Sequence, residues 1–355
     1  MNRIALTTAC IAGIVATPAF AQITLDWVTV GNAGNSDDPT TGFGAVAYEY
    51  RIGKYEITNT QYAAFLNAAA VSDPNNLYDT RMGSAPEGGI VRSGSSGSFT
   101  YSVKPNMGNK PVIFVSWLDA ARMSNWLTNG QGSGSTESGT YTFNGISSIS
   151  AITRDLSNPN QVFIPTENEW YKAAYHHPAG QGGDTDGYWL YATQSNAAPV
   201  IATATGVGDV ANPGPSTVNH RNGADWNGLN GNVTTVGSAG NTSFYGASDM
   251  NGNVFEWNET LVDGPERGLR GGSWDDNLAS LRASFRDEDV PMYQDDDVGF
   301  RLAAPALQST PEPCSIADLT TDGTNPGDTL YGVPDGRITV ADLTFFVEAW
   351  LEGCP

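Results

Sequence analysis

Arg270-Gly271-Gly272-Ser273-Trp274 and, further on, Val298-Gly299-Phe300-Arg301 are the two stretches whose reading decides the fold. Two adjacent glycines between an arginine and a small hydroxyl residue predict backbone at close quarters, where a Cβ would not fit. Leu281, Phe285 and Phe300 are apolar, and Arg282, Arg286 and Arg301 alternate with them. That period of two predicts short strands whose guanidinium groups are buried in polar contacts or face a cleft.

The surrounding 355 residues suffice for one large domain and a small one. A hydrophobic fraction of 39%, with 9 Trp and 14 Tyr, supplies a core, while 41 Gly and 20 Pro predict a body rich in loops and turns. The 38 acidic residues against 17 basic ones give a formal charge of −21. No basic stripe exists to displace phosphate counterions, which argues against a nucleic-acid partner. Calcium or a cationic peptide suits such a surface, and solubility alone accounts for the charge equally well.

Residues 1–21 read as a secretory signal peptide: Arg3, an apolar run from Ile4 to Ala16, then Ala19-Phe20-Ala21 as a cleavage site. No later apolar run is long enough for a membrane span. The expected location is therefore outside the cytoplasm: secreted, periplasmic or at the cell surface, of bacterial type. Of the 3 Cys, Cys10 leaves with the signal and Cys314 and Cys354 remain as an even pair. A bridge closing a loop of about 40 residues would contribute roughly 4 kcal/mol by the chain-entropy relation.

Three helix starts are legible. Thr58-Asn59-Thr60-Gln61 is a capping box following a strand over Tyr48–Ile57, and Ser116-Trp117-Leu118-Asp119 opens a helix that stops near Asn129-Gly130. Thr166-Glu167-Asn168-Glu169 opens a third, which makes Glu169 a cap first and a catalytic candidate second. Trp27–Asn32 reads as an opening strand and turn. The long irregular segment from Tyr188 to His220 is of the kind that carries function or an ion.

With Asn251-Gly252-Asn253-Val254-Phe255-Glu256-Trp257 and Ile164-Pro165-Thr166-Glu167-Asn168-Glu169-Trp170, the opening stretches resemble the formylglycine-generating enzyme family, the sulfatase-modifying factors. The resemblance runs from about Trp27 to Ala304. It implies an α+β, loop-rich fold related to the C-type lectin architecture. It also implies a calcium ion on Asp249, Gly252, Val254 and Glu256, a hard-oxygen set of the kind calcium takes. A second calcium is implied near Asn219 and His220 with Asp225 or Asn230. A hydrogen-bonded turn without an ion is the alternative at both places.

Family oxidases hold Cu(I) on two cysteines after the Arg-Gly-Gly-Ser motif. Aligned through Arg270–Ser273, those positions fall on Asp276 and Leu281. A carboxylate is a hard ligand and a leucine is none, so no copper is expected. Ser273 keeps the family's serine, and Phe255 stands where relatives have an aromatic wall. Asp275, Asp276 and the runs Asp287–Asp289 and Asp295–Asp297 either make one face of the cleft anionic, suiting an arginine-bearing substrate, or form solvated loops. Another branch of the superfamily holds iron on three histidines of an added helical domain. Here His176, His177 and His220 are all the histidines there are, and no such domain is evident.

After a linker at residues 305–313, residues 314–355 resemble a dockerin-like module. Asp335-Gly336-x-Ile338-x-x-x-Asp342 matches the second half of an EF-hand-type calcium loop, with Asp318 and Asp322 as further ligands. A small α-helical calcium-loop tail held by Cys314–Cys354 is the expectation, with a cohesin-like or cell-surface partner. The expectation for the whole is a calcium-bound, non-oxidase binding or scaffold protein for extracellular peptide, protein or glycan partners. The enzyme alternative is a divergent formylglycine-type oxidoreductase acting on sulfatase cysteines.

Overall fold

A computed structural model of the protein describes residues 22–143, 149, 152–155, 158 and 160–307. The expected signal peptide at 1–21 and the expected dockerin-like tail at 314–355, with Asp318, Asp322, Asp335, Asp342, Cys314 and Cys354, lie outside the described residues. The chain divides after Ala306 into two compact units, and the described helices and strands all belong to the first. Among the described residues no helix is long and apolar enough to cross a membrane.

Strands β1 (Trp27–Val30) and β2 (Tyr50–Gly53) pair antiparallel, and β11 (Ala303–Pro305) joins the far side of β2, with Ala303 opposite Ile52 and Pro305 opposite Tyr50. The first and last strands of the domain thus share one sheet, in which Tyr50 and Ile52 of β2 are fully buried. Two ribbons stand apart: β3 (Ile90–Ser93) with β4 (Thr100–Val103), and β5 (Val200–Ile201) with β6 (Thr217–Val218). The central sheet has the order β10-β7-β8-β9, from β7 (Phe255–Leu261), β8 (Arg267–Arg270), β9 (Asp287–Asp289) and β10 (Val298–Gly299). The opening stretches of sequence are therefore the end of one central strand and the start of another, both flanking β7.

All three expected capping boxes form. Helix α1 (Asn59–Ala69) is capped by Thr58 and Gln61. After the short α2 (Arg81–Ser84), α3 (Trp117–Thr128) is capped by Ser116 and Asp119, and α4 (Glu167–Tyr175) by Thr166 and Glu169. In each, the cap oxygen takes one orphan N–H and the third helical side chain returns to the cap N–H. The apolar faces then fix the helices: Tyr62, Phe65 and Leu66 on α1 and Trp117, Met123 and Trp126 on α3 enter the core. Each such side chain contributes roughly 1.5–3 kcal/mol of burial.

The expected strand over Leu281–Arg286 is absent. Phe285 N–H donates to Arg282 O at 2.9 Å and Arg282 N–H to Ala279 O at 3.3 Å, so consecutive turns satisfy the backbone locally. The alternation survives as burial: Leu281 and Ala283 point in, Arg282 and Ser284 out. Period two therefore described which side chains are covered, without a ladder.

Asp119 carries a pH signature. It is almost fully buried, and its Oδ2 accepts from Ser116 N–H at 2.9 Å and Gln294 Nε2 at 2.9 Å. Burial pushes its carboxyl up to about 6. A carboxyl raised above its unfolded value contributes stability that is full below about pH 4 and is lost as pH rises through about 6. Asp119→Asn keeps an acceptor and removes the titration. The stability of wild type relative to this variant is expected to be greater at pH 4.5 than at pH 7.5, read by urea denaturation at both values. An unchanged difference would mean that Asp119 does not titrate in this range.

Candidate functional site

Arg270 ends β8 and is fully buried. Its Nε and Nη2 donate to Glu167 Oε1 at 2.8 and 2.5 Å, and its Nη1 to the carbonyls of Ala283 and Phe285. Arg286 reaches Glu167 Oε2 at 2.8 Å. The first turn of α4 thereby anchors both the Gly-Gly corner and the segment that folds back over it. Gly271 and Gly272 have φ of +102° and +73°, and a Cβ on Gly272 would lie 2.7 Å from Leu281 Cδ2. This is the close approach the glycine pair predicts.

Beyond the corner, Ser273 Oγ lies 2.7 Å from both Asp275 Oδ1 and Asp276 Oδ2, and Ser273 N–H donates to Asp276 Oδ2 at 3.0 Å. One hydroxyl proton serves one carboxylate at a time. Oxygens of Asp275, Asp276 and Asp297 come within 4.8 Å of one another, as do those of Asp295, Asp296 and Asp297. Among the described residues these are the groups of three ligand-type side chains close enough to share a cation. Burial, then the charge of Asp275, pushes the Asp297 carboxyl up to about 7. The nearest guanidinium pairing is Arg81 with Asp295 at 3.7 Å, at the rim. Phe255 closes the corner, its ring 6.2 Å from that of Phe285. Of the two acidic runs, Asp295–Asp297 reaches Asp275 and Asp276, whereas Asp287–Asp289 is the edge strand β9.

Leu281 has no exposed surface and packs with Tyr191 and Val218. Asn251 holds it there, donating from Nδ2 to Leu281 O at 2.8 Å and accepting at Oδ1 from Ala192 N–H at 2.8 Å. The position aligned with the second family cysteine is thus a core position.

Three separated stretches are knitted into one unit by main-chain bonds. Asn253 N–H donates to Asn219 O, Gly252 N–H to Gly271 O, Trp274 N–H to Asn253 O and Arg221 N–H to Asp276 O. The structure therefore brings Asn219 and His220 together with 249–256 and with 271–276. Asn219 Nδ2 donates to Asn232 O and Asn253 Oδ1, while its buried Oδ1 has no partner among the described residues. His220 is fully buried. Burial, then the Arg221 charge, holds its imidazole down to about 4, and so neutral.

Behind the corner lies a second buried charge group. Arg301 Nε donates to Glu256 Oε2 at 2.5 Å and its Nη2 to Oε1 at 2.6 Å, while Trp170 Nε1 donates to Oε2 at 2.7 Å. Asp249 accepts from Gly237 N–H at Oδ2, and its carboxyl is pushed up to about 6 by burial. Glu56 adds a third carboxyl, raised by burial and then by Asp249, and its Oε2 is buried with no partner among the described residues. Among the described residues these three carboxyls share the Arg301 cation, and burial and mutual repulsion push Asp249 and Glu56 towards their neutral forms. The buried oxygens Glu56 Oε2 and Asn219 Oδ1 lack a partner among the described residues, but both Glu256 oxygens are taken by Arg301, and Glu56, Asp249 and Glu256 are not among the side-chain groups close enough to share a cation. Glu56 escapes sequence reading because it is 193 positions from Asp249 in the chain; it is held beside that segment by Asn253, whose Nδ2 donates to Glu56 Oε1 at 2.9 Å.

The other candidates do not converge. Glu169 is spent on Arg154 at 3.0 Å, on Thr166 N–H and on Tyr48 OH, as its capping role predicts. His176 ends α4 with Nδ1 2.6 Å from Tyr245 OH, and His177 bonds Gln181 O and Trp189.

Residues 28–306 match the sulfatase-modifying factor enzyme 1-like domain. The chain belongs to that family. A curated relative of this sulfatase-modifying factor-like chain is hercynine oxygenase of Mycolicibacterium smegmatis, 24% identical over 284 residues, which cover 72% of this chain and 52% of the relative. The chain thus spans about half the length of that protein. Solved structures similar to it include CarF, 22% identical, covering 79% of this chain and 98% of that one, with a TM-score of 0.47. PvdO from Pseudomonas aeruginosa is 18% identical over 79% of this chain and 92% of its own, with a TM-score of 0.42.

Proposed function

We propose that this sulfatase-modifying factor-like protein is a binding protein, without the oxidase chemistry, whose carboxylate group at Asp275, Asp276 and Asp297 receives a cationic group such as the arginine of an extracellular peptide. One observation carries the reading: the two positions aligned with copper-binding thiolates hold a carboxylate tied to Ser273 and a leucine sealed in the core. No cysteine occurs between Cys10 and Cys314. A soft Cu(I) ion needs sulfur donors, and oxygen with hydrocarbon does not replace them. A clustered set of carboxylates is instead complementary to a guanidinium, which offers five donors in a planar fork.

Calcium is part of the proposal. Asp249 and Glu256, with the carbonyls of Gly252 and Val254, would hold one ion, and Asn219 and His220 would contribute to a second. The ions would supply structural cross-links between the stretches that form the cleft. Secretion, a Cys314–Cys354 bridge and attachment of residues 314–355 to a cohesin-like or cell-surface partner complete the proposed setting.

The second reading, an oxidoreductase, is favoured by the hercynine oxygenase relative. The decisive assay incubates full-length protein with copper, oxygen and a Cys-x-Pro-x-Arg peptide. No aldehyde above a no-protein control is expected, and aldehyde formation would overturn the binding reading. In parallel, a cysteine-free arginine peptide should bind by calorimetry, with affinity falling about tenfold in Asp276→Asn/Asp297→Asn, in line with loss of a charge-assisted pair.

A further inference from the structure

We infer a second binding site, for an alkylammonium or alkylguanidinium group, in a cleft of about 240 Å³ walled by Asp38, Asp184, Asp186, Tyr188, Trp189 and Asn196. It uses none of the residues of the Asp275–Asp276–Asp297 group and is independent of how that group is read. Its size is below the usual range for drug-sized ligands, so it suits a side chain or a small amine.

The choice of ligand comes from the donors and acceptors around the walls. Trp189 Nε1–H is spent on His177 Nδ1 at 3.2 Å, and Tyr188 OH on Ser36 O at 2.7 Å. Asn196 Nδ2 donates to Asp184 Oδ2 at 2.5 Å, and its Oδ1 accepts from Leu190 N–H at 2.9 Å. Tyr171 OH donates to Asp38 Oδ2, and Thr41 Oγ1 donates in turn to Tyr171. The charged groups of the walls are all acceptors, beside the neutral hydroxyls of Thr40 and Ser284. Asp38 takes a side-chain-directed bond from Thr40 N–H, and Asp186 takes one from Tyr188 N–H, so each carboxylate keeps free lone pairs.

Charge points the same way. The cleft wall includes no Lys, Arg or His, and none of its three aspartates is in an ion pair among the described residues. Arg270 and Arg286, which stack on Phe43 nearby, are committed to Glu167. Asp38 is the telling member: it is 5% exposed, and a buried carboxylate without a cation is costly. The half-buried Trp189 adds a ring face, the preferred partner for an organic cation. A ligand rich in donors, positively charged and with a short apolar stem satisfies all of these walls. A neutral sugar would leave the charge uncompensated.

The test is calorimetric titration of the full chain with agmatine in roughly physiological salt and calcium-free buffer, alongside acetyl-Gly-Arg-Gly-amide, cellobiose and CaCl2. Agmatine is expected to bind. Asp184→Asn/Asp186→Asn keeps one acceptor oxygen at each position, lies on exposed or half-buried positions and should weaken binding about tenfold. Trp189→Phe should weaken it about threefold, within the range of an exposed cation–π contact. Equal binding of the blocked tripeptide would assign recognition to an arginine side chain, and tighter binding of agmatine to a free amine; both support the site. No agmatine binding at millimolar concentration would overturn the inference. So would unchanged affinity in Asp184→Asn/Asp186→Asn, an equal loss in Asp276→Asn/Asp297→Asn, or saturation by cellobiose or calcium alone.

Discussion

Arg301→Ala is expected to destabilise the domain by about 3–5 kcal/mol, the range for removing one partner of a buried ion pair. That corresponds to a fall of roughly 10 °C in the melting temperature for a domain of this size. The cost is mostly that of the groups left behind. Glu256 would lose the bonds to Nε and Nη2, and the carbonyls of Gly53 and Ser248 would lose their donors. Glu56, Asp249 and Glu256 would then face one another with no cation between them. The double variant Glu256→Gln/Arg301→Ala removes one of these charges and should recover part of the loss. Thermal melting by circular dichroism checks both, and a change below about 1 kcal/mol in the single variant would show that Arg301 is not the counter-charge the geometry makes it.

Gly252→Ala is expected to cost about 2–5 kcal/mol, the sum of a backbone and a packing penalty. Gly252 has a φ of +73°, and left-handed backbone costs an L-residue about 1–2 kcal/mol. The new Cβ would lie 2.2 Å from Asn219 O, a main-chain atom that cannot swing aside. Overpacking adds about 1–3 kcal/mol. The clash strikes where Asn253 N–H meets Asn219 O, so the variant is also expected to weaken binding of the proposed calcium. Denaturation in calcium and in chelator separates the two effects. Full stability in both would contradict the geometry.

How much of this was legible in the chain depends on the range of each interaction. The capping boxes at Thr58, Ser116 and Thr166 are local, four residues each, and all three form. The Gly271-Gly272 pair declared a close approach correctly, because positive φ is written in residue type. The family motifs were equally legible, since they are continuous stretches. The strand over Leu281–Arg286 failed because burial alternates in a turn as readily as in a ladder, and periodicity does not tell the two apart. Glu56 beside Asp249, and Asp38 beside Trp189, join residues far apart in sequence, and no local pattern announces such encounters. Asp297 was half legible: an acidic run is visible, but which of its members turns towards Asp275 and Asp276 is set by the β10-β7 pairing.

The sheet that seats β11 against β2 has a consequence for assembly in time. Ile52 finds its neighbour Ala303 only after some 250 intervening residues exist, and Phe163 bonds the same Ala303 in both directions. The helices can nucleate as they emerge, but the β1-β2-β11 sheet waits for β11, a high-contact-order closure of the slow kind. Truncation just before Ala303 would therefore forfeit far more than three residues, by leaving an open hydrogen-bonding rim and an unsealed interior in a chain otherwise ready to fold.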